Sequence, residues 1–174
     1  DKLLLKKKWK IENNKKVILL PGRLTTWKGQ EMFLESLNKL KKISPELEFV
    51  AIILGDDQGR KVYKKKLLRL VDQYRLINDV KFISHIELMP IAYEISDVVI
   101  SSSIEPEAFG RVSVEAQSMA KPIIASNIGG SVETIIDNKT GFLFEAGNSD
   151  KLSEKMNEIL KLSEVTMNGI GSEG

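Results

Sequence analysis

Residues 97–116 of the chain read Asp97-Val-Val-Ile100-Ser-Ser-Ser-Ile-Glu-Pro-Glu107-Ala-Phe-Gly110-Arg-Val-Ser-Val-Glu115-Ala. An apolar, β-branched run ends here in a serine-rich turn that carries acids, and a segment able to start a helix follows at about Phe109. Doubly wound α/β proteins bind ligands at such a strand, turn and helix, because free backbone N–H groups collect at the helix start. Glu107 lies on the turn and Glu115 about two turns inside the helix, so both side chains can face one crevice.

The same alternation of strand and helix runs through the rest of the chain. The predicted strands span residues 16–21, 47–54, 80–83, 97–100, 122–125 and 141–144, and the predicted helices span residues 31–43, 61–76, 88–95, 109–119, 131–136 and 150–162. Elements that alternate in this way predict a parallel sheet covered on both faces. The predicted fold class is therefore α/β, a Rossmann-like three-layer α/β/α sandwich with about six parallel strands. We expect a linker or lead-in helix over residues 1–15, a Rossmann-like ligand-binding domain over 16–165 and a disordered tail over 166–174.

Composition limits the classes of function. A chain of 174 residues, 42% hydrophobic and 29% charged, is typical of one soluble globular domain. Its net charge of +2 leaves no general nucleic-acid footprint. The absence of cysteine excludes disulfides and thiolate sites, and the single His85 cannot form a histidine cluster for a metal. No apolar run approaches the roughly 20 residues that span a bilayer, so we expect a cytoplasmic protein.

The turns that follow the strands of a parallel sheet share one edge. The first turn lacks the dinucleotide fingerprint Gly-x-Gly-x-x-Gly and carries Arg23 and Lys28 instead. With Glu107 and Glu115, this edge would bring two cations and two carboxylates to one crevice. Cations and helix N-termini suit a diphosphate, and carboxylates, which only accept hydrogen bonds, suit the hydroxyls of a sugar or ribose. The residues therefore predict a sugar nucleotide as the ligand.

These residues also allow other interpretations. Two glutamates also suggest the acid and base of a glycosidase, but that interpretation leaves both cations unused. Arg23 could instead form a salt bridge to a neighbouring helix. Gly129-Gly130 is either a tight turn or a place where a ligand approaches the backbone closely. The last two alternatives stay open at the level of sequence.

Three motifs occur in register along the chain: Gly22-Arg-x4-Lys28-Gly29, Glu107-x-Phe-Gly-x4-Glu115-Ala and Lys121-Pro-Ile-Ile-Ala-x3-Gly129-Gly130-x2-Glu133. Together they resemble the retaining glycosyltransferases of family four, which have two Rossmann-like domains (the GT-B architecture). The resemblance covers residues 16–162 and is to the C-terminal, donor-binding half alone. It implies one half of a GT-B fold, and we expect this chain to be an inactive half without the N-terminal acceptor domain.

The resemblance also implies a role for each matching residue. Arg23 and Lys28 would hold the donor diphosphate and stabilise charge on the leaving nucleotide, and Glu107 would accept hydrogen bonds from the transferred sugar; these are the expected catalytic residues. The expected donor-binding residues are Gly22, Gly29, Ile86, Phe109, Gly110, Arg111, Val112 and Glu115. In this set the N–H groups of 109–110 would meet the sugar, those of 111–112 the phosphates, Glu115 the ribose and the backbone near Ile86 the base.

The function implied is transfer of a hexose or N-acetylhexosamine, with retention, to a polysaccharide, lipopolysaccharide or glycolipid acceptor. The donor would be UDP-, GDP- or ADP-linked, and no metal cofactor is expected. The missing acceptor domain is the expected protein partner, with no nucleic acid. The resemblance also allows peripheral contact with the inner face of the membrane through the full-length enzyme. The alternative from another class is a non-catalytic nucleotide- or phosphate-binding Rossmann-like module.

Overall fold

Six parallel strands form one sheet in the computed structural model, which describes residues 1–162. The strands are β1 (Lys16–Pro21), β2 (Phe49–Leu54), β3 (Val80–Ile83), β4 (Val98–Ser101), β5 (Ile123–Ser126) and β6 (Phe142–Phe144). The helices are α1 (Lys2–Lys8), α2 (Gln30–Ile43), α3 (Lys61–Gln73), α4 (Met89–Ile95), α5 (Arg111–Ser118), α6 (Ser131–Thr134) and α7 (Ser149–Leu160), with a 3₁₀ turn at Thr26–Lys28. The predicted tail over 166–174 lies outside the described residues, and the domain boundaries stay predictions.

The order of the strands across the sheet is β3-β2-β1-β4-β5-β6. The chain winds outward from β1 in one direction, through β2 to β3, and then returns to place β4 against the other side of β1. Crevices form outside the carboxyl ends of the strands where the order reverses in this way. The predicted α/β, Rossmann-like three-layer class is confirmed, and the reversal lies between β1 and β4.

Two hydrophobic cores lie on the two faces of the sheet. Successive residues of a strand point to opposite faces, so Ile18 and Leu20 enter one core and Val17 and Leu19 the other. Helices α2, α3 and α7 complete the first core, and helices α1, α4 and α5 complete the second. Because both faces are covered, the central strands read as continuous apolar runs. Among residues 1–162, no helix is both long and apolar enough to cross a membrane.

Three local features differ from the predictions. Val62 has the helical spacing of a core residue in the predicted helix 61–76, but it is 85% exposed because it lies in the first turn of α3, next to the exposed residues 58–60. Helix α5 starts at Arg111 and not at Phe109, since Gly110 has a φ of 67°, outside the helical region. The lead-in helix already ends at Lys8, and the residues that follow it pack on the domain, where Trp9 is buried in the second core.

Candidate active site

An open cleft of about 500 Å³ lies where the strand order reverses, at the carboxyl ends of β1 and β4. Its lining residues come from the end of β1 and the first turn, from the end of β2, from the start of α4, and from α5 together with the stretch that joins β4 to it. They are Pro21, Gly22, Arg23, Trp27, Lys28, Leu54, Gly55, Met89, Glu107, Ala108, Phe109, Gly110, Arg111, Val112 and Glu115. Every site residue predicted from the sequence is in this set except Gly29 and Ile86. The neighbouring acid Glu105 is exposed and does not line the cleft.

Lys28 and Glu107 form an ion pair in the cleft. Lys28 Nζ lies 2.7 Å from Glu107 Oε1, and the two side chains are only 14% and 16% exposed. The Ser103 hydroxyl donates to the same carboxylate oxygen, and Lys28 Nζ lies 4.6 Å from the centre of the Trp27 ring. The loop that bears the lysine is fixed by the residue that follows β4, because Ser102 Oγ donates to the Lys28 carbonyl at 3.0 Å. The pair is therefore held in place before any ligand arrives.

Arg23 has a different setting at the same edge. Arg23 is exposed, and within residues 1–162 its guanidinium takes part in no ion pair. The alternative of a salt bridge to a neighbouring helix is thus wrong for this part of the chain. The Arg23 backbone is fixed, since its carbonyl accepts a 2.9 Å hydrogen bond from Gln30 Nε2. A cation on a fixed backbone and without a carboxylate partner can bind an anion in the cleft.

Backbone donors complete the site at the start of α5. Gly110 adopts a left-handed conformation, with a φ of 67°, and precedes the first helical residue. The first acceptor-bound N–H of this turn is that of Ser113, which donates to the Gly110 carbonyl at 2.9 Å. In the described part of the chain, the N–H groups of residues 109–112 donate to no protein acceptor. Free N–H groups at a helix start attract anions and hydroxyl oxygens.

The Gly129-Gly130 turn supports this loop from behind. The Gly130 N–H donates to the Glu107 carbonyl at 2.7 Å. A Cβ added to Gly129 would lie 2.5 Å from the Glu107 carbonyl oxygen, and one added to Gly130 would lie 2.4 Å from the Phe109 carbonyl carbon. The close approach that these glycines permit is therefore an approach of the loop that bears Glu107 and Phe109.

Glu115 is held from two sides. Tyr93 donates a 2.6 Å hydrogen bond to Oε2, and Arg111 Nη2 lies 3.3 Å from Oε1. Burial raises the pKa of the Tyr93 hydroxyl, and the hydrogen bond to Glu115 and its charge raise it further. Sequence reasoning missed both Tyr93 and Ser103. The serine run was recognised only as a polar turn, and nothing in the periodicity of α4 marks its tyrosine as a partner of a carboxylate 22 positions away.

Two predicted site residues lie outside the cleft. Gly29 has a φ of 71° and joins the 3₁₀ turn to α2; a Cβ there would meet the Ser102 carbonyl oxygen at 2.0 Å, so this glycine permits close packing of two loops. Ile86 lies in a neighbouring groove beside α1, together with His85 and Leu88. Within residues 1–162, no group of three or more histidine, cysteine or acidic side chains is arranged to hold a metal ion.

Comparison with known proteins gives a consistent result. Residues 1–169 match the family described as "Glycosyl transferases group 1". A glycosyltransferase from Rickettsia africae superposes with a TM-score of 0.92 at 34% identity, over 98% of this chain and 44% of that one. Anabaena HepE, solved in complex with UDP-glucose, superposes with a TM-score of 0.90 at 29% identity, over 99% of this chain and 46% of that one.

A third structure is itself a part of a larger protein. The C-terminal domain of the group 1 family glycosyl transferase LpcC from Francisella tularensis superposes with a TM-score of 0.80 at 26% identity, and the match covers 97% of this chain and 87% of that domain. The chain spans less than half the length of the curated relatives that it matches. The match covers 41% of the spore coat protein SA of Bacillus subtilis and 35% of a D-inositol 3-phosphate glycosyltransferase of Paenarthrobacter aurescens.

Proposed function

Because the chain belongs to the group 1 glycosyltransferases, we propose that it is the donor-binding half of a retaining enzyme of that family. Its cleft would bind a nucleoside diphosphate sugar and present the anomeric carbon to an acceptor held by another domain. The match to an isolated C-terminal domain, over 97% of this chain and 87% of that domain, supports this assignment, and the HepE complex makes a UDP-linked hexose the first donor to test.

The observation that carries the proposal is the pairing of two chemistries in one cleft. Arg23 and the free N–H groups of residues 109–112 offer positive charge and donors, which a diphosphate requires. Glu107 and Glu115 offer acceptors, which the hydroxyls of a hexose and of a ribose require. A nucleoside diphosphate sugar has both kinds of group, and they are joined in the same molecule.

The chemical step follows from this arrangement. The bond between the sugar C1 and the β-phosphate oxygen would break, and a bond from the acceptor oxygen to C1 would form on the same face. The acceptor proton would pass to an oxygen of the leaving phosphate. Negative charge grows on that phosphate as the bond breaks, and Arg23 and Lys28 would stabilise it, which is worth roughly 3 kcal/mol for one well-placed donor.

The charge that the step requires is supplied by side chains, so we propose that the donor binds without a metal ion. Chelation with EDTA should then leave donor affinity unchanged. The transferred group would be a hexose or N-acetylhexosamine, and the acceptor a polysaccharide, lipopolysaccharide or glycolipid. The proposed compartment is the cytoplasm, which suits a chain without cysteine.

Calorimetric titration of the 174-residue chain with UDP, GDP and ADP tests donor binding. We expect one diphosphate to bind, and Arg23→Ala to weaken it about tenfold or more because a hydrogen bond to a charged group is lost. Arg69→Ala is the matched control: it removes an exposed arginine of α3 that does not line the cleft. An equal loss of affinity in both variants would mean that Arg23 acts only through the overall charge of the protein and does not contact the diphosphate.

Turnover is tested in the full-length protein with the donor that binds. Product in which the anomeric configuration of the donor is kept supports the retaining transfer, and inverted product would contradict it. Binding of a diphosphate without any transfer or donor hydrolysis would favour the non-catalytic nucleotide-binding module instead.

A further inference from the structure

Tyr93 is an unusual residue in the core behind the cleft. It lies on α4, is 2% exposed and belongs to the same hydrophobic cluster as Val112 and Ala116 of α5. Its hydroxyl reaches out of this cluster and donates to Glu115 Oε2 at 2.6 Å. The contact joins two helices that no other described side-chain hydrogen bond links to each other.

The direction of this hydrogen bond is fixed by chemistry. A carboxylate can only accept, so the phenol must donate. Burial raises the pKa of Tyr93 above its ordinary value, so the hydroxyl keeps its proton at neutral pH. The phenol is therefore a donor to Glu115 under the conditions in which a nucleotide binds.

The two oxygens of Glu115 consequently differ. Oε2 faces the buried phenol, whereas Oε1 faces Arg111 Nη2 at 3.3 Å. The arginine side chain is 81% exposed, and an exposed pair of this kind contributes little. A ligand hydroxyl can replace Arg111 at Oε1, but it cannot replace Tyr93 at Oε2 without opening the core.

We propose that Tyr93 is a positioning residue for the nucleotide: it holds Glu115 by one oxygen and so aims the other at the ribose hydroxyls. This rests on the proposed function, in which Glu115 accepts from the ribose. A free glutamate has several rotamers, and ordering one of them on binding costs affinity. Tyr93 removes that cost beforehand, since its hydrogen bond already fixes the rotamer.

The test compares UDP with its 2′,3′-dideoxy analogue, which lacks both ribose hydroxyls, on the 174-residue chain. We expect Tyr93→Phe to weaken UDP roughly five- to tenfold, the share of one hydrogen bond, and to leave the affinity for the analogue unchanged. Tyr74→Phe is the matched control, because Tyr74 packs against the first core, on the other face of the sheet, and does not line the cleft. Thermal unfolding of each variant verifies that it is folded.

Each outcome is decisive. Equal weakening of UDP and the analogue by Tyr93→Phe would mean that Tyr93 has a structural role only, and an unchanged affinity for UDP would also overturn the proposal. In a Glu115→Ala background, Tyr93→Phe should have no further effect on UDP; an undiminished effect there would contradict the proposal independently. If the unaltered chain binds UDP and the analogue equally, the assignment of Glu115 to the ribose fails, and if it binds no diphosphate the proposed function fails.

Discussion

Substitution of Gly129 tests whether the glycine turn holds the cleft loop in position. Gly129 has a φ of 57°, and a Cβ there would lie 2.5 Å from the carbonyl oxygen and 2.6 Å from the nitrogen of Glu107. Ordinary contact starts at 3.4 Å, so the Glu107 backbone must retreat by about 0.9 Å. Gly147 provides the matched control, because its φ is 77° and nothing lies within 4 Å of a Cβ placed on it.

The two variants separate backbone strain from displacement. Both place a non-glycine residue in the left-handed region, at a cost of about 1–2 kcal/mol. Gly129→Ala alone adds overpacking, which typically costs about 1–3 kcal/mol. A shift near 1 Å at a site residue can also lower function by up to about a hundredfold, and Glu107 lies two residues before the first of the donor N–H groups of residues 109–112.

The assays are urea unfolding for stability and calorimetric titration with UDP for the site. We expect Gly147→Ala to lose about 1–2 kcal/mol of unfolding free energy and to keep its affinity for UDP. Gly129→Ala should lose about 1–3 kcal/mol more and bind UDP roughly tenfold to a hundredfold more weakly. The reasoning is refuted if the two variants lose the same stability and both bind UDP normally.

Three further substitutions test separate parts of the structure. Ser103→Ala removes one donor to Glu107; we expect it to weaken UDP-glucose about fivefold but not UDP, and equal effects in titrations with the two ligands would contradict a role in sugar binding. Trp9→Ala should cost about 3–5 kcal/mol of unfolding free energy, because the ring is buried in the second core; a loss near zero in urea would make residues 1–15 a mere linker. Because burial raises the pKa of Tyr93, the unfolded chain releases that proton above about pH 10 while the native state keeps it. Stability should therefore fall with rising pH there by about 1.4 kcal/mol per pH unit for this group, and Tyr93→Phe should show a correspondingly shallower fall in urea titrations from about pH 9 to 11.

The strands were predictable because each is a short apolar run, and such a run between turn residues is typical of a buried strand. Strands β1 and β3 have the predicted bounds, and the others differ by at most two residues. The hydrophobic pattern gave the wrong burial for two residues whose exposure depends on the structure around their helices. Val62 has the spacing of a core residue but lies in an exposed first turn, and Trp9 looked like part of a basic linker but is buried. Hydrophobic periodicity identifies the apolar face of a helix, but it does not show which turns of that face are covered by the sheet.

The site was predictable as a set of residues but not as a set of contacts. The rule that parallel strands end at one edge brought Arg23, Lys28, Glu107 and Glu115 together, and all of them line the cleft. Which cation pairs with which carboxylate depends on loop geometry across 79 positions of sequence, and the partner of Glu115 comes from the core. Gly29 was assigned to the site through its neighbour Lys28, whereas its place in the structure is against Ser102. The roles of these residues stay predictions.

The charges along the cleft constrain how a donor must lie. Arg23 is without a carboxylate partner in the described part of the chain, whereas Lys28 is already paired with Glu107 at 2.7 Å. A diphosphate would therefore meet its first unpaired cation at Arg23 and its free donors at residues 109–112. The Lys28–Glu107 pair then falls between the phosphate and the sugar: a phosphate oxygen that draws on Lys28 loosens its hold on Glu107, whose oxygen becomes available to a sugar hydroxyl. Recognition of the two ends of the donor is coupled through this one ion pair: losing Lys28 should weaken the diphosphate, whereas losing Glu107 should weaken the sugar and leave Lys28 unpaired for the phosphate.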